Sequence, residues 1–324
     1  MGCKKILNPN KFNKQSMLKI VSVNISEKKG TAKKPVEFID LNATGIKGDA
    51  HSGRWHRQVS LLGEESVKRF SVQAKRDIGY GEFAENITTL GIDLSDTFPL
   101  DRLSSENVEM EITQIGKECH GSTCAIFKEA GDCVMPKEGI FARVIRGGRL
   151  KAGDHLQYHP CVFRFLVVTL SDRASRGEYE DKSGPAVNRL ITEHFEARKR
   201  GVDIDNVIMP DDEIHLRELL GEACNSGYDF IITTGGTGIG KRDISPDVVR
   251  QMLDKEIPGI MEMIRVKYGS EKPNALLSRG VAGLIGSTFI YTLPGSVKAV
   301  NEYMNEILKT MEHLVYMLRG IDIH

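Results

Sequence analysis

The sequence predicts two domains: a β-barrel-like, mainly β N-terminal domain with few helices, and a C-terminal three-layer α/β domain with a mostly parallel sheet. A chain of 324 residues, 40% of them hydrophobic, is long enough to form two cores of ordinary size. Short β-type runs separated by glycine fill the first half, whereas strand-like and helix-like segments alternate in the second half. That alternation is typical of a parallel sheet covered by helices on both faces.

In the first half, four runs rich in β-branched and apolar residues predict strands, at 20–25, 58–62, 108–115 and 141–145. One stretch, 63–75, places Val67 and Phe70 among charged residues, which predicts an amphipathic helix beside the sheet. We expect this domain to span residues 17–157. Residues 1–16 are polar and are expected to form a disordered tail, unless translation starts at Met17. A linker is expected at 158–161, where Pro160 interrupts the chain.

In the second half, residues 162–324, four predicted strands (163–170, 202–209, 230–234 and 288–293) alternate with predicted helices (185–199, 213–225 and 246–253). Glycines at 235, 236, 238 and 240 come after the third strand and allow a tight turn whose amides can bind an anion. Ser245 and Pro246 suit the N-cap and the first position of the next helix. The positive end of that helix is therefore expected near the same turn.

The balance of charges argues against a nucleic-acid-binding protein. Lysine plus arginine and aspartate plus glutamate number 44 each, so the chain has no basic field of the kind that such binding requires. No segment approaches the roughly 20 apolar residues of a membrane span, and the first residues are too polar for a signal peptide. We therefore expect a cytoplasmic protein that acts on small molecules.

Six cysteines in a chain of this size are expected to be thiols rather than a disulfide framework. Cys119, Cys124 and Cys133 fall within fifteen positions, but they lack the paired CxxC spacing of a structural zinc site. A reactive-sulfur cluster and a metal cluster of another kind both remain open for them.

Polar residues stand directly after the predicted strands of the second half. Ser171 and Asp172 come after the first strand, and Asp211 comes after the second. The carboxyl ends of parallel strands meet at one edge of a sheet, so these groups are expected near the glycine turn and Asp243. Carboxylates beside anion-binding amides predict a site for phosphate and a metal ion. Two alternatives remain open: Asp211 caps the helix after it, and Arg242 forms only a surface ion pair.

Five motifs in this region resemble the molybdopterin adenylyltransferase family, including the corresponding domain of gephyrin, over about residues 162–324. They are Ser171-Asp-Arg-Ala-Ser, Tyr179-Glu-Asp-Lys, Thr234-Gly-Gly-Thr-Gly, Arg242-Asp243 and Leu293-Pro-Gly-Ser. The sequence departs from the family at Ile239, where relatives often have proline. The resemblance implies transfer of AMP from ATP to the terminal phosphate of molybdopterin, with release of pyrophosphate. It also implies a homotrimer formed through this domain, and a molybdenum-insertion protein as a partner.

The resemblance also implies roles for individual residues. Asp211 and Asp243 are the implied catalytic pair, which binds Mg²⁺ and positions the ATP phosphates. The nucleophile is already a phosphate anion, so the chemistry needs positioning and charge neutralisation more than a strong base. The implied contacts to phosphate and pterin are Ser171, Asp172, Thr234, Gly235, Gly236, Thr237, Gly238, Ser278, Gly295 and Ser296.

Three motifs of the first half, with the region from Cys119 to Cys133, resemble the MOSC domain over residues 17–157. The motifs are Gly45-Ile-Lys-Gly-Asp-Ala-His-Ser-Gly, Gln58-Val-Ser-Leu-Leu and Gly81-Glu-Phe-Ala-Glu-Asn-Ile-Thr. The resemblance implies a small β-barrel that binds molybdenum cofactor or carries activated sulfur, with Cys124 as its functional thiol. Asp49 and His51 are expected to present polar groups to an anionic pterin phosphate. The alternatives are that Cys124 is a small buried hydrophobic residue and that His51 only shapes its turn.

Together these features predict a bifunctional protein of molybdenum-cofactor biosynthesis. The competing interpretation is a non-catalytic carrier or scaffold that binds the pterin without turnover. The presence of both Asp211 and Asp243 favours catalysis, because a simple binding site gains little from two carboxylates that face a phosphate. The sequence leaves the eventual metal, molybdenum or tungsten, undetermined.

Overall fold

The computed structural model describes residues 4–6, 16–117 and 134–321, and divides into two compact units. The N-terminal unit contains the described residues from 16 to 161. The C-terminal unit contains residues 162–319 together with strand β1 (Lys4–Ile6). Among the helices of these described ranges, none has both the length and the apolar character that a bilayer crossing requires.

The N-terminal unit is built on a closed barrel of seven strands, in the order β12-β8-β9-β10-β6-β7-β2 and back to β12. Strand β3 continues the sheet beyond β2, and β11, β4 and β5 form a second, three-stranded sheet. The strands are β2 (Ser16–Ile25), β3 (Lys34–Val36), β4 (Phe38–Asn42), β5 (Gly45–Ile46), β6 (Val59–Gly63), β7 (Ile87–Leu90), β8 (Arg102–Ser104), β9 (Glu109–Ile115), β10 (Ile140–Arg146), β11 (Arg149–Lys151) and β12 (His155–His159). The helices are α1 (Glu64–Ala74) and α2 (Met135–Glu138), with a 3₁₀ turn at Leu94–Asp96.

The barrel is filled by the side chains that alternate inward along its strands. Leu18, Ile20 and Leu61 are fully buried in one core, as are Met110 and Ile112 of β9. Helix α1 buries Val67 and Phe70 in a separate cluster, as the sequence predicts. The expected β-barrel-like domain with few helices is therefore confirmed.

A buried ion pair fixes the turn after β5. The Lys33 ammonium donates to the Asp49 carboxylate at 2.5 Å, and both side chains are completely shielded from solvent. The backbone amides of Ser26 and His51 donate to the same carboxylate, at 3.1 and 2.9 Å. Burial alone would raise the pKa of Asp49, but the hydrogen bonds from His51 and Lys33 outweigh it and hold that pKa below its usual range. Burial also lowers the pKa of Lys33.

The C-terminal unit contains one seven-stranded mixed sheet in the order β1-β14-β13-β15-β18-β17-β16. Its four central strands, β14-β13-β15-β18, run parallel, and the flanking pairs are antiparallel. The strands after β12 are β13 (Val162–Leu170), β14 (Gly201–Met209), β15 (Phe230–Thr234), β16 (Lys255–Glu256), β17 (Ala282–Ile285) and β18 (Thr288–Leu293). The helices are α3 (Asp172–Ser175), α4 (Ser183–Glu196), α5 (Glu213–Asn225), α6 (Ser245–Met252), α7 (Pro258–Gly269), α8 (Val297–Ile307) and α9 (Met311–Leu318), with a 3₁₀ turn at Pro273–Leu277.

Helices cover both faces of this sheet. On one face, Phe163 and Phe165 of β13 contact Phe195 of α4, with ring centroids 5.3 and 5.5 Å apart. On the opposite face, the alternate residues of β13 pack with α5 and α6 in one buried cluster. The predicted α/β domain with a mainly parallel sheet is confirmed in its centre, whereas its antiparallel flanks were not predicted.

Two expectations about the ends of the domains need correction. Lys4–Ile6, expected in a disordered tail, forms β1 and pairs with β14, with Ile6 opposite Ile204. This pairing satisfies backbone groups at the edge of the sheet. The predicted linker 158–161 begins too early, because β12 continues to His159. Tyr158 is held in the barrel by its hydroxyl, which donates to Asp101 at 2.6 Å.

The substitution Lys33→Met leaves the Asp49 carboxylate buried without its counter-charge. We expect the free energy of unfolding of the N-terminal unit to fall by about 3–5 kcal/mol. Adding Asp49→Asn removes the charge while keeping an acceptor for the backbone amides, so it should recover part of the loss. The single tryptophan of the chain, Trp55, lies in this unit, and its fluorescence during urea denaturation reports the change.

Lys68→Met is the matched control, because Lys68 is largely exposed where it pairs with Glu64. Its effect should stay within about 0.5 kcal/mol. Equal stability of the Lys33→Met and Lys68→Met proteins would show that the buried pair does not stabilise the turn.

Candidate functional site

The candidate site lies where the parallel strands of the C-terminal unit end. Polar or glycine-rich segments leave the carboxyl ends of β13, β14, β15 and β18, and these strands are adjacent in the sheet. This edge of an open α/β sheet is the usual position of a ligand. The segments carry Ser171 and Asp172 after β13, Asp211 after β14, Gly235–Gly238 after β15, and Gly295 and Ser296 after β18.

The glycine turn packs tightly between two neighbouring strands. Gly235 has φ +97°, and a Cβ there would lie 2.3 Å from the carbonyl oxygen of Leu170, so only glycine fits. A Cβ on Gly295 would lie 3.3 Å from the Cα of Gly235. The amide of Gly235 donates to the Leu293 carbonyl at 2.9 Å. This corrects the expectation that the Gly235 amide binds phosphate, because that amide already has a partner within the sheet.

Ser245 holds the turn instead of capping a helix. Helix α6 starts at Ser245 itself, and the Ser245 hydroxyl donates to the carbonyls of Gly235 and Gly236 at 2.8 and 3.0 Å. The predicted N-cap role of Ser245 is therefore wrong. Its completely buried hydroxyl fastens the start of α6 to the turn.

Arg279 is the other side chain that holds this turn, and the sequence predicted no role for it. Its guanidinium donates to the carbonyls of Gly238 and Asp243, at 2.6 and 2.5 Å, and to the Asp247 carboxylate at 2.8 Å. Its backbone amide donates to the Thr237 carbonyl at 3.0 Å. Arg279 lies about forty residues from the turn in sequence, so no motif or period connects them. The sequence indicated Arg279 only through its neighbour Ser278, which was predicted to contact phosphate or pterin.

The two predicted catalytic aspartates lie against different glycines of the turn. A Cβ on Gly236 would lie 3.5 Å from Oδ1 of Asp211, and a Cβ on Gly238 would lie 2.7 Å from Oδ2 of Asp243. Asp243 also accepts a hydrogen bond from the Gly240 amide at 2.7 Å. The structure therefore brings both carboxylates to the same glycine turn.

Helix α5 does not use Asp211 as its cap. Asp212 is the N-cap residue, and its carboxylate accepts from the His215 amide at 3.0 Å. Asp211 instead makes reciprocal contacts with Asp172: its amide donates to Asp172 Oδ1 at 3.3 Å, and its carboxylate accepts from the Asp172 amide at 3.4 Å. The capping alternative for Asp211 is wrong.

Charge is distributed unevenly over these carboxyl groups. Burial raises the pKa of Asp211, and the nearby negative charge of Asp172 raises it further. The hydrogen bond from the Arg242 guanidinium lowers the pKa of Asp172. A cation near Asp211 would favour the ionised form of its carboxyl group, which burial and Asp172 disfavour.

The donor set suits Mg²⁺ that arrives with a phosphate ligand. Mg²⁺ prefers carboxylate oxygens and is commonly held by one or two carboxylates together with substrate phosphates. In the ranges that the structure describes, no group of three or more histidine, cysteine or acidic side chains is arranged to hold a metal ion unaided. Asp211 and Asp243 therefore fit a metal whose coordination is completed by the substrate.

Two cavities flank the segment from Pro294 to Ser296. The first, of about 420 Å³, is lined by Ser171, Arg173, Tyr179, Lys182, Thr234 and Ser296 among others. The second, of about 360 Å³, is lined by Thr237, Gly238, Lys272, Ser278, Ser296 and Lys298 among others. Both volumes lie in the range of small-molecule sites. The sequence-predicted contacts that line the first cavity are Ser171, Thr234, Gly295 and Ser296, and those that line the second are Thr237, Gly238, Ser278 and again Ser296.

Helix α8 begins at the boundary of the two cavities. Ser296 is its N-cap, and the Ser296 hydroxyl accepts from the Ala299 amide at 3.3 Å. Ser171 caps α3 in the same way, by accepting from Ala174 at 3.2 Å. The positive end of α8 favours negative charge at the shared rim of the cavities.

In the N-terminal unit, one of the predicted site residues lines a cavity and another is buried in an ion pair. Asp49 is consumed in the buried pair with Lys33 and is therefore not placed to contact a ligand, contrary to expectation. His51 does line a cavity of about 150 Å³, together with Trp55, Arg57, Asn86 and Lys117. Cys124, with Cys119 and Cys133, lies outside the described residues.

Comparisons with known proteins agree with the two-unit division. Residues 166–313 match a family described as a probable molybdopterin binding domain, and residues 48–157 match the MOSC domain. Molybdopterin adenylyltransferase from Pyrococcus furiosus is 39% identical over 167 residues, which cover 50% of this chain and 95% of that protein. Gephyrin from Dictyostelium discoideum is 34% identical over 160 residues, covering 48% of this chain and 22% of that protein.

A solved structure of the tungsten cofactor synthesizing protein MoaB, from Pyrococcus furiosus, is 37% identical and covers 50% of this chain and 99% of its own, with a TM-score of 0.43. The relatives named above each cover about half of this chain, and the molybdopterin binding match and the MOSC match lie in its second and first halves. Through its C-terminal half the chain belongs to the molybdopterin adenylyltransferase family, and it carries a MOSC domain in its N-terminal half.

Proposed function

We propose that the C-terminal unit transfers AMP from ATP to the terminal phosphate of molybdopterin and releases pyrophosphate. The observation that carries this proposal is that Asp211 and Asp243 lie against two glycines of one turn, Gly236 and Gly238, and that Gly238 also lines a substrate-sized cavity. Relatives that bear the name molybdopterin adenylyltransferase support it.

The reaction requires alignment of two polyanions. An oxygen of the molybdopterin phosphate attacks the α-phosphorus of ATP, a new P–O–P bond forms, and the bond between the α-phosphorus and the bridging oxygen breaks, so pyrophosphate leaves with its electron pair. No proton has to be removed from the nucleophile, since it is already an anion. Mg²⁺ held by Asp211 and Asp243 would neutralise charge on the phosphates.

The two cavities differ in ways that suit two substrates. The first cavity is larger and offers the half-exposed ring of Tyr179, a stacking surface suited to a purine base, beside Arg173 and Lys182. The second cavity is lined by Lys298 and by Lys272, whose ammonium pairs with Glu302 of the same lining, and these cations suit the phosphate of a pterin. We assign ATP to the first cavity and molybdopterin to the second. The shared Ser296 rim then brings the reacting phosphates together.

For the N-terminal unit we propose binding of molybdenum cofactor through its anionic group in the barrel-side cavity. Arg57 and Lys117 line this cavity with His51, and Arg57 also lies over the Trp55 ring at 5.0 Å. Cationic side chains around a small cavity favour a phosphate-sized anion. Transfer of sulfur by Cys124 remains part of this proposal.

Asp243→Asn tests the catalytic proposal, because it removes the charge but keeps an acceptor for the Gly240 amide. We expect the rate of AMP transfer to fall at least about a hundredfold, since charge neutralisation on the phosphates is lost. Molybdopterin affinity should change little. Pyrophosphate release and adenylyl-molybdopterin formation are measured with Mg-ATP, and Glu256→Gln, which changes an exposed acid of the same unit, serves as control. Tight molybdopterin binding by the unmodified protein without any turnover would favour the carrier interpretation instead.

Arg279→Met tests whether the shape of the turn matters for the reaction. Loss of its hydrogen bonds to Gly238 and Asp243 should lower kcat about a hundredfold through misplacement of the Asp243 carboxylate. Arg279→Lys keeps the charge but not the forked geometry, and should recover activity only in part. Arg250→Met is the matched control, and circular dichroism checks folding. An Arg279→Met protein that is folded and fully active would rule out a positioning role.

Arg57→Gln tests the N-terminal site. C-terminal binding of the cofactor's pterin would give the full chain a second site, so titration with molybdenum cofactor should show one site fewer in this variant than in the unmodified chain, because the N-terminal cavity loses a positive charge. Arg54→Gln, which changes an exposed arginine outside the cavity lining, should keep both sites. The same number of sites in all three proteins would place cofactor binding elsewhere.

A further inference from the structure

An ion pair links two loops at the edge of the candidate site. Arg242, in the turn before α6, pairs with Asp172, the first residue of α3, which is 70 positions away in sequence. The Arg242 side chain is 64% exposed and that of Asp172 is 30% exposed, so the pair is open to solvent. A solvent-exposed pair of this kind contributes little to folding and breaks easily.

Asp172 is engaged through both of its oxygens. Oδ2 binds the Arg242 guanidinium, and Oδ1 accepts from the Asp211 amide at 3.3 Å. Asp172 therefore contacts the loop that carries Asp211, a predicted catalytic residue, and also binds the positively charged Arg242 guanidinium. Release of Arg242 would leave the Asp172 carboxylate next to Asp211 without that counter-charge.

Resting on the proposed ATP site, we propose that Arg242 is an exchangeable counter-ion of that site. Without nucleotide, Arg242 pairs with Asp172. When the triphosphate enters, Arg242 transfers to its phosphates, and Asp172 becomes available beside Asp211 to the metal ion that the nucleotide brings. Arg242 is thus a contact of the nucleotide phosphates and Asp172 a contact of the metal ion, in addition to Asp211 and Asp243.

The exchange follows from the charges that each ligand carries. A divalent cation alone would approach a carboxylate already bound to a guanidinium, and the two positive charges repel. Removing one unit charge at roughly 5 Å from a divalent ion in a solvated site changes its affinity about tenfold. A triphosphate carries enough negative charge to attract Arg242, and its oxygens accept bidentate hydrogen bonds from a guanidinium. The site therefore admits metal with nucleotide and resists metal alone.

Arg242→Gln should have opposite effects on the two affinities: the affinity for metal alone should rise, and the affinity for nucleotide should fall. We expect Mn²⁺ alone, followed by electron paramagnetic resonance, to bind about tenfold more tightly to Arg242→Gln than to the unmodified chain. The non-hydrolysable analogue AMP-CPP, titrated with Mg²⁺ present, should bind about tenfold more weakly to the same variant. Adding Asp172→Asn to Arg242→Gln should abolish the gain in Mn²⁺ affinity, because the lost negative charge of Asp172 offsets the lost positive charge of Arg242.

Arg250→Gln is the control, since Arg250 lies on α6 and pairs with Glu256 at 3.4 Å, away from Asp172. It should change neither titration. Unchanged Mn²⁺ and nucleotide affinities in folded Arg242→Gln would mean that the pair is only a surface contact, and would overturn the proposal. AMP transfer is measured separately: a chain that never adenylylates molybdopterin would refute the proposed reaction, while the two titrations still decide the exchange.

Discussion

The close approach of the turn after β15 to the ends of its neighbouring strands is the constraint on which the C-terminal site depends. No side chain fits at Gly235, because the Leu170 carbonyl occupies the position of a Cβ. With the turn pressed against β13 and β18, Ser245 and Arg279 bind its carbonyls from the other side. The positions of the Asp211 and Asp243 carboxylates depend on this geometry, since each lies against one of the turn glycines.

Features that repeat along the chain, and groups placed at the ends of strands, could be predicted from the sequence. The bounds of β15, α5 and β18 agree with the residues predicted from apolar runs and helical spacing. The convergence of Asp211 and Asp243 is a consequence of the rule that parallel strands end at one edge. The order of the motifs along the chain indicated the molybdopterin adenylyltransferase family. None of this required knowledge of a single long-range contact.

Single side-chain contacts between distant segments escaped prediction. Arg279 lies far from the turn it holds, and Lys33 lies sixteen positions from Asp49, in a stretch without period. Ser245 had the residue type of an N-cap, but the helix begins at Ser245 itself, and the Ser245 hydroxyl donates to carbonyls of the glycine turn. Such contacts depend on tertiary geometry, which a local pattern does not contain.

Two lysine- or arginine-aspartate pairs in this chain show how burial separates a structural role from a functional one. Lys33 and Asp49 are fully shielded, so breaking their pair leaves an unsolvated charge at a cost of several kcal/mol, and the pair stays closed. Arg242 and Asp172 are exposed, and water can solvate either partner after separation. Of these two pairs, only the second is able to exchange one partner for a ligand charge at low cost. Asp172 of the exposed pair also contacts the amide of Asp211, so the proposed exchange would change the charge beside that carboxylate.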